Sequence, residues 1–176
     1  METGLYDSDY VTDFITGKKL PLDEHEPVRQ QIERLLVESK GFGKEDIAVN
    51  AWLDLEIDGR RESFRLDLIA YVDGQPAALI KTNRGSIVSR ERETLAAARL
   101  AGAYQIPLSV VTNGETAEVF DTVTGKMIAE GLDAIPSKSE AAEQLRDRPP
   151  TPLPDKKRTG EQRILMAFLS WKCKKE

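Results

Sequence analysis

Apolar and polar residues along the chain follow two periods, and each period predicts a different kind of element. Apolar residues three and four positions apart predict a helix over residues 23–39 with one apolar face. After this helix the pattern changes to strict alternation, which is typical of half-buried strands. The alternation predicts three strands, over residues 47–57, 64–72 and 77–82. Asp58-Gly59 and Asp73-Gly74 separate them as hairpin turns, so we expect an antiparallel meander.

An alanine-rich segment after the meander predicts a second helix, over residues 89–104, that can pack closely against a sheet. Pro107 ends this helix, and the short apolar strand 108–112 that follows can pair in parallel with an earlier strand. Segments 117–121 and 126–129 predict a terminal hairpin. The order helix, three-strand antiparallel meander, helix, strand indicates an α/β fold with a mixed, α+β-like sheet.

Composition divides the chain into four segments. Residues 1–22 are polar with scattered aromatic residues, and we expect an irregular lead-in. Residues 23–147 form the predicted domain, which ends in a short helix begun by the capping box Ser137–Glu140. The proline-rich residues 148–158 predict a stiff, extended linker. Residues 159–176 predict a basic amphipathic C-terminal helix, whose apolar side must cover this domain or another subunit, so a homodimer or another protein partner is one hypothesis.

Length and composition exclude several protein classes. The chain has 176 residues, of which 40% are hydrophobic, and this is enough for one buried core. It lacks a run of about 18 apolar residues, so we expect no membrane-spanning helix. The acidic start Met1–Tyr10 does not resemble a secretory signal. The lone Cys173 and the lone His25 exclude an internal disulfide and a self-contained Cys/His zinc site, which fits a cytoplasmic protein.

The net charge of −5 averages regions of opposite sign. Residues 155–176 carry a net +4, so residues 1–154 carry −9. Within the acidic part, Lys81–Arg99 forms a basic island with five basic and two acidic residues. A basic strip on an acidic body is typical of a surface that binds a polyanion, but it is also common on solvated helix faces. Both interpretations are open at this point.

Several segments, taken in order, resemble one protein family. They are Glu26-Pro-Val-Arg-Gln30, Leu66–Ile80 with its Asp67 and Gly74, Ile106-Pro107, Thr112-Asn-Gly114 and Val119-Phe-Asp121. Over about residues 24–135 the chain resembles the N-terminal nuclease domain of the R subunit of type I restriction enzymes, the HsdR N-terminal family of the PD-(D/E)xK superfamily. It is most similar to small stand-alone bacterial proteins that carry only this domain. The resemblance implies a restriction-endonuclease-like core.

The resemblance also implies a set of site positions. Active members hold a divalent metal ion with two carboxylates, and a lysine helps to activate water against a phosphodiester. Asp67 matches the second-strand acid of the family and Glu26 matches the helix glutamate. Lys81 stands where the family has its third-strand glutamate, and Asn83 stands where it has its lysine. Asp67, Glu26 and Lys81 are therefore the candidate vestigial catalytic residues.

Two further family positions are changed in the second helix, where Ala96 replaces a glutamine and Leu100 replaces a tyrosine. A lysine at position 81 repels Mg²⁺ and is expected to pair with Asp67 instead. We therefore predict a degenerate active site that has lost metal-dependent cleavage and needs no cofactor.

An active Mg²⁺-dependent endonuclease is the alternative hypothesis. Some nucleases of this fold carry the second acid on the following helix. In this chain Glu91 or Glu93 could supply it, beside Asp67 and Glu26. In that case these carboxylates would be the metal ligands. A structural or protein-interaction module is the third hypothesis.

The first hypothesis makes DNA the expected partner of a nucleic-acid-binding or regulatory protein. Its candidate contacts lie in the basic island and are Lys81, Asn83, Arg84, Arg90, Arg92 and Arg99. Trp52 lies on the polar face of its strand and could stack on a base. We expect, however, that the C-terminal helix or a partner covers it.

Overall fold

A computed structural model describes residues 9–172 of the chain. The strands in this part are β1 (Tyr10–Thr12), β2 (Lys19–Pro21), β3 (Ile47–Ile57), β4 (Arg60–Val72), β5 (Gln75–Thr82), β6 (Leu108–Thr112), β7 (Ala117–Asp121) and β8 (Met127–Glu130). The helices are α1 (Glu26–Glu38), α2 (Glu91–Leu100), α3 (Lys138–Asp147) and α4 (Asp155–Lys172). Cys173 lies outside the described residues.

Six strands form one mixed sheet in the order β3-β4-β5-β6-β7-β8. Strands β3, β4 and β5 pair antiparallel, which confirms the predicted meander. Strand β6 pairs in parallel with β5, from Ala78 opposite Leu108 to Thr82 opposite Thr112. Helix α2 lies between these two strands in the chain and provides the crossover connection that a parallel pair needs. The α/β fold predicted from the sequence is confirmed.

Helices cover both faces of the sheet. One face packs on α1 and α3, in a cluster that includes Ile32, Leu36, Leu68, Ile80, Val110 and Ala141. The other face packs on α2 and α4, in a cluster that includes Phe64, Leu79, Ala96, Ala98, Ile106 and Leu165. The central strands are covered on both faces, and every residue of β6 is therefore buried.

Strand β3 departs from the single apolar face that its alternation predicts. Val49 packs on the α1 side of the sheet, whereas Ala51 packs on the α2 side. Between them Asn50 has a left-handed backbone, with φ of +53°. This conformation reverses the side to which the following residues point, so the tip of the β3–β4 hairpin contributes Leu55 to the core under α4.

The N-terminal segment also differs from the prediction. The prediction of an irregular lead-in covers residues 1–22, of which residues 1–8 lie outside the described part of the chain. In residues 9–22, β1 and β2 instead form an antiparallel hairpin in which Tyr10 is opposite Pro21. Asp13, in the connection between the two strands, accepts hydrogen bonds from the backbone N–H and the hydroxyl of Thr16. Its other oxygen lies 2.9 Å from Nη1 of Arg29 on α1. A buried ion pair therefore fastens this hairpin to the domain.

Arg29 pairs with three acids, Asp13, Glu26 and Glu33, in a buried cluster. Nη1 of Arg29 donates to Oε1 of Glu33 at 2.7 Å, and the guanidinium also pairs with both oxygens of Glu26. Burial by itself would raise the pKa of Asp13, but the Thr16 hydrogen bonds and Arg29 outweigh it and lower that pKa. For Glu33, burial has a larger effect than the opposing charge of Arg29, and it raises the pKa from 4.5 to about 7.

The proline-rich segment packs against the domain: residues 149–154 are in no helix or strand, whereas residues 155–158, predicted to belong to an extended linker, form the start of α4. The backbone N–H of Gln105 donates to the carbonyl of Thr151, and Arg148 forms an ion pair with Asp121. Leu153 is buried in the core under α4.

Two helix boundaries in the prediction were wrong. Helix α4 begins at Asp155 and not at residue 159, so Thr159 lies inside the helix. Helix α2 spans only Glu91–Leu100, shorter than the predicted 89–104, and a short 3-10 turn precedes it. The apolar side of α4 packs on α2 and the sheet of its own chain, with Leu165 fully buried. Across residues 9–172, no helix has the length and apolar character needed to cross a membrane.

The raised pKa of Glu33 predicts a pH-dependent stability. The folded chain holds a proton that the unfolded chain releases, so the free energy of unfolding falls as pH rises from 4.5 to about 7. Glu33→Gln keeps this side chain neutral. We expect the free energy of unfolding of the variant to exceed that of the wild type by about 1–3 kcal/mol at about pH 8 and to equal it at about pH 4.5.

Urea denaturation at both pH values measures this difference. Glu38→Gln, at an exposed position of the same helix, is the control and should change neither value. A Glu33→Gln variant that is no more stable than the wild type at the higher pH would contradict the prediction.

Candidate functional site

Asp67 and Lys81 are neighbours because of the strand register. Leu68 of β4 pairs with Ile80 of β5, and in an antiparallel pair this puts the preceding Asp67 beside the following Lys81. Glu93 reaches the same place from the first turn of α2. One face of the sheet and one helix therefore bring two acids and one base together.

Asp67 is buried and has several partners. Oδ2 of its carboxylate accepts hydrogen bonds from the backbone N–H of Thr82 at 3.0 Å and from the Thr82 hydroxyl at 3.2 Å. Nζ of Lys81 lies 3.2 Å from the same oxygen, and Nε of Arg65 lies 4.0 Å from Oδ1. Burial alone would raise the pKa of Asp67, but Lys81, Thr82 and Arg65 together lower it. The carboxylate is therefore held in its charged form.

Lys81 lies between two buried carboxylates. Besides the contact with Asp67, its Nζ is 3.6 Å from Oε1 of Glu93, and the lysine side chain is only 13% exposed. Oε2 of Glu93 accepts a hydrogen bond from Nη1 of Arg90 at 3.0 Å. The predicted pairing of Lys81 with Asp67 is confirmed, and Glu93 joins it.

The other predicted metal ligands lie in different surroundings. Both oxygens of Glu26 pair with Arg29 in the cluster that fastens the N-terminal hairpin. Glu91 lies beside Glu118, where burial and the charge of Glu91 raise the pKa of Glu118. Of the two acids proposed on α2, only Glu93 turns toward Asp67.

These residues do not fit a magnesium ion. Mg²⁺ takes oxygen ligands in near-octahedral geometry, and the space between the two carboxylates is filled by an ammonium group, which repels a cation. Among residues 9–172, no group of three or more His, Cys, Asp or Glu side chains is arranged to hold a metal ion.

Several predicted nucleic-acid contacts are engaged within the protein. The Asn83 amide donates to the carbonyl of Ser86 at 2.8 Å and does not point toward Asp67. Arg90 pairs with Glu93. Arg92 and Arg99 both pair with a carboxylate of α4, Glu161.

Other cations remain accessible to solvent. Arg84 is 68% exposed and lies 3.6 Å from Glu24, which is also exposed. Arg92 keeps 47% of its side chain exposed despite its ion pair, and Arg65 keeps 40%.

The sequence reasoning missed three residues of this region. Arg65 stands two positions before Asp67 and its Nε lies 4.0 Å from Oδ1 of Asp67, but β4 changes face between Leu66 and Leu68, so alternation alone does not identify this contact. Asn50 stands opposite Asp67 in the β3–β4 register, and its buried Oδ1 has no hydrogen-bond partner among the described residues. Glu161 is distant in sequence from its two arginines, and no local signal points to it.

Trp52 also differs from expectation. We predicted that the C-terminal helix or a partner would cover it, but in this chain α4 leaves the side chain 65% exposed. It is the direct cross-strand neighbour of Arg65, so an exposed indole and a half-exposed guanidinium lie side by side near Asp67.

Comparison with known proteins identifies one family. The family model described as type I restriction enzyme R protein N terminus (HSDR_N) matches residues 24–136, nearly two thirds of the chain. The matched range contains α1, the meander, α2 and β6, which form a restriction-endonuclease-like core. No curated protein and no solved structure matches the chain.

Removal of the Lys81 charge should destabilise the fold. Lys81→Met leaves Asp67 and Glu93 buried without the cation between them, so we expect the free energy of unfolding to fall by about 3–5 kcal/mol. Chemical denaturation measures this change. Lys126→Met, which removes a lysine from an exposed turn, is the control and should shift stability by less than about 0.5 kcal/mol. Equal stability of the two variants would show that the ammonium is not required.

Proposed function

This chain belongs to the family of type I restriction enzyme R protein N termini, and from this premise we propose that it is a nucleic-acid-binding or regulatory protein that has lost metal-dependent cleavage. The observation that carries the proposal is the position of the Lys81 ammonium, between the buried carboxylates of Asp67 and Glu93. In such a position the lysine supplies the positive charge that these acids need, and their affinity for a second cation falls.

The position equivalent to the family's lysine supports the loss of cleavage. Asn83 stands there, and its amide is used in a hydrogen bond to Ser86. An amide cannot deliver the positive charge that a lysine contributes to water activation. The family's third-strand glutamate and lysine are therefore both replaced in this chain, and both replacements, Lys81 and Asn83, make contacts within the protein.

Exposed cations on or next to the elements that carry the closed site support nucleic-acid binding. Arg65, Arg84 and Arg92 keep between 40% and 68% of their side chains exposed, on β4, after β5 and on α2. Guanidinium groups bind phosphate through paired hydrogen bonds. The exposed Trp52 beside Arg65 adds a flat surface on which an unpaired base can stack.

One observation favours the alternative of an active Mg²⁺-dependent endonuclease. Glu93 is one of the two acids proposed to replace the missing glutamate, and it lies close to Lys81, as Asp67 does. Displacement of the ammonium would leave two facing carboxylates. The homodimer, the interaction module, the lack of a cofactor and the cytoplasmic location stay predictions.

Binding should depend on the cations around the site. We expect fluorescence polarisation at low salt to show that the protein binds single-stranded or duplex DNA, and that binding weakens as salt rises. Arg65→Gln should reduce affinity about threefold. Arg146→Gln removes one exposed arginine from α3 and should have little effect. Salt-insensitive binding, or none at low salt, would refute the proposed binding function.

Cleavage should be absent. Incubation of supercoiled plasmid with Mg²⁺ or Mn²⁺ should give the same background for the wild type and for Asp67→Ala, because neither has an open metal site. Gel electrophoresis measures the nicked and linear products. Cleavage by the wild type that Asp67→Ala abolishes would instead establish the endonuclease.

A further inference from the structure

A carboxylate from the C-terminal helix joins two arginines of α2. Oε1 of Glu161 accepts a hydrogen bond from Nη1 of Arg99 at 2.7 Å and from Nη2 of Arg92 at 3.0 Å. Nη2 of Arg92 also lies 3.0 Å from Oε2. Glu161 is buried, whereas Arg92 reaches solvent. Two guanidinium groups therefore converge on one oxyanion at the junction of α2 and α4.

The two arginines are arranged to bind an oxyanion. They are seven residues apart on α2, which is about two helical turns, so they lie on one face. Nε of Arg99 donates to the carbonyl of Thr122 at 2.9 Å, and this contact fixes the orientation of its guanidinium. Fixed, paired guanidinium groups are the usual means by which proteins bind a phosphate group.

The carboxylate comes from outside the family domain. The family match ends at residue 136, and α4 begins at Asp155, after the packed proline-rich segment. Helix α4 is held on α2 and the sheet by its own apolar residues, including the fully buried Leu165. Its docking therefore does not depend only on the ion pairs of Glu161, so the carboxylate can be removed while the helix keeps other contacts.

We propose that Arg92 and Arg99 form a phosphate-binding site that Glu161 occupies as an internal substitute for the ligand. The ligand is a phosphate group, either as the free ion or in the backbone of a nucleic acid. The second case rests on the proposed function and makes α4 a regulator of it. When the carboxylate is absent, both arginines are available to a phosphate from solution.

The proposal predicts chemical rescue of Glu161→Ala by phosphate. This variant removes the carboxylate and leaves space beside both arginines. We expect its Tm to be lower than that of the wild type in chloride and to be largely restored by phosphate at equal ionic strength, whereas the wild type responds alike to both salts. Glu143→Ala removes one exposed carboxylate from α3, so it has the same net charge and should show no phosphate response.

Glu161→Gln is the second variant, because it keeps the size of the side chain if Glu161→Ala does not fold. It should respond to phosphate in the same direction but less strongly. Adding Arg92→Gln and Arg99→Gln to the rescued variant should abolish the response. The proposal is overturned if both Glu161 variants behave like Glu143→Ala, or if the response survives loss of both arginines.

A second measurement separates the two sources of phosphate. Fluorescence polarisation with a short DNA oligonucleotide should show that Glu161→Ala binds roughly tenfold more tightly than the wild type, with a steeper salt dependence. Phosphate rescue without any oligonucleotide binding would support the site and refute the proposed function. Oligonucleotide binding that is equal in wild type and Glu161→Ala, without phosphate rescue, would refute the phosphate site and support the proposed function.

Discussion

The ammonium group of Lys81 is the contact on which the centre of this molecule depends. Two carboxylates, Asp67 on β4 and Glu93 on α2, are buried beside it, and a buried carboxylate needs a cation or several hydrogen-bond donors. Thr82 donates hydrogen bonds to Asp67 and Arg90 forms an ion pair with Glu93, while the ammonium of Lys81 lies close to both acids. The same three charges join the meander to the crossover helix, so the chemistry of the site and the packing of the domain are coupled.

The same principle recurs at two other places in the fold. Arg29 holds three acids and fastens the N-terminal hairpin to α1, and Glu161 holds two arginines where α4 meets α2. In each place, a charged side chain of a kind that also occurs in binding sites pairs with opposite charges on another segment and so joins the two segments. The difference is accessibility: Arg29 is enclosed, whereas Arg92 reaches solvent and can meet a ligand.

Local periodicity was a sound guide to the sheet. The alternating residues of β3, β4 and β5 and the two Asp-Gly turns predict the meander, and the alanines of α2 predict a helix that packs closely. Prediction was weaker where one residue changes the backbone. Asn50 adopts a left-handed conformation inside β3, and no alternation of apolar residues reveals this, so the change of face between Val49 and Ala51 was missed.

The sequence by itself determined that Asp67 and Lys81 lie on adjacent strands, because the turn at Asp73-Gly74 joins β4 and β5 as a hairpin. The structure added a bulge between Ala70 and Tyr71, which shifts the pairing by one residue and puts Asp67 opposite Lys81 instead of Ile80. Only the tertiary structure decided which acid joins them. The rotation of α2 about its axis turns Glu93 inward and Glu91 toward Glu118. It also decided that Glu161 reaches Arg92 and Arg99. These contacts join residues far apart in the chain and depend on how packed helices are oriented, which no local pattern specifies.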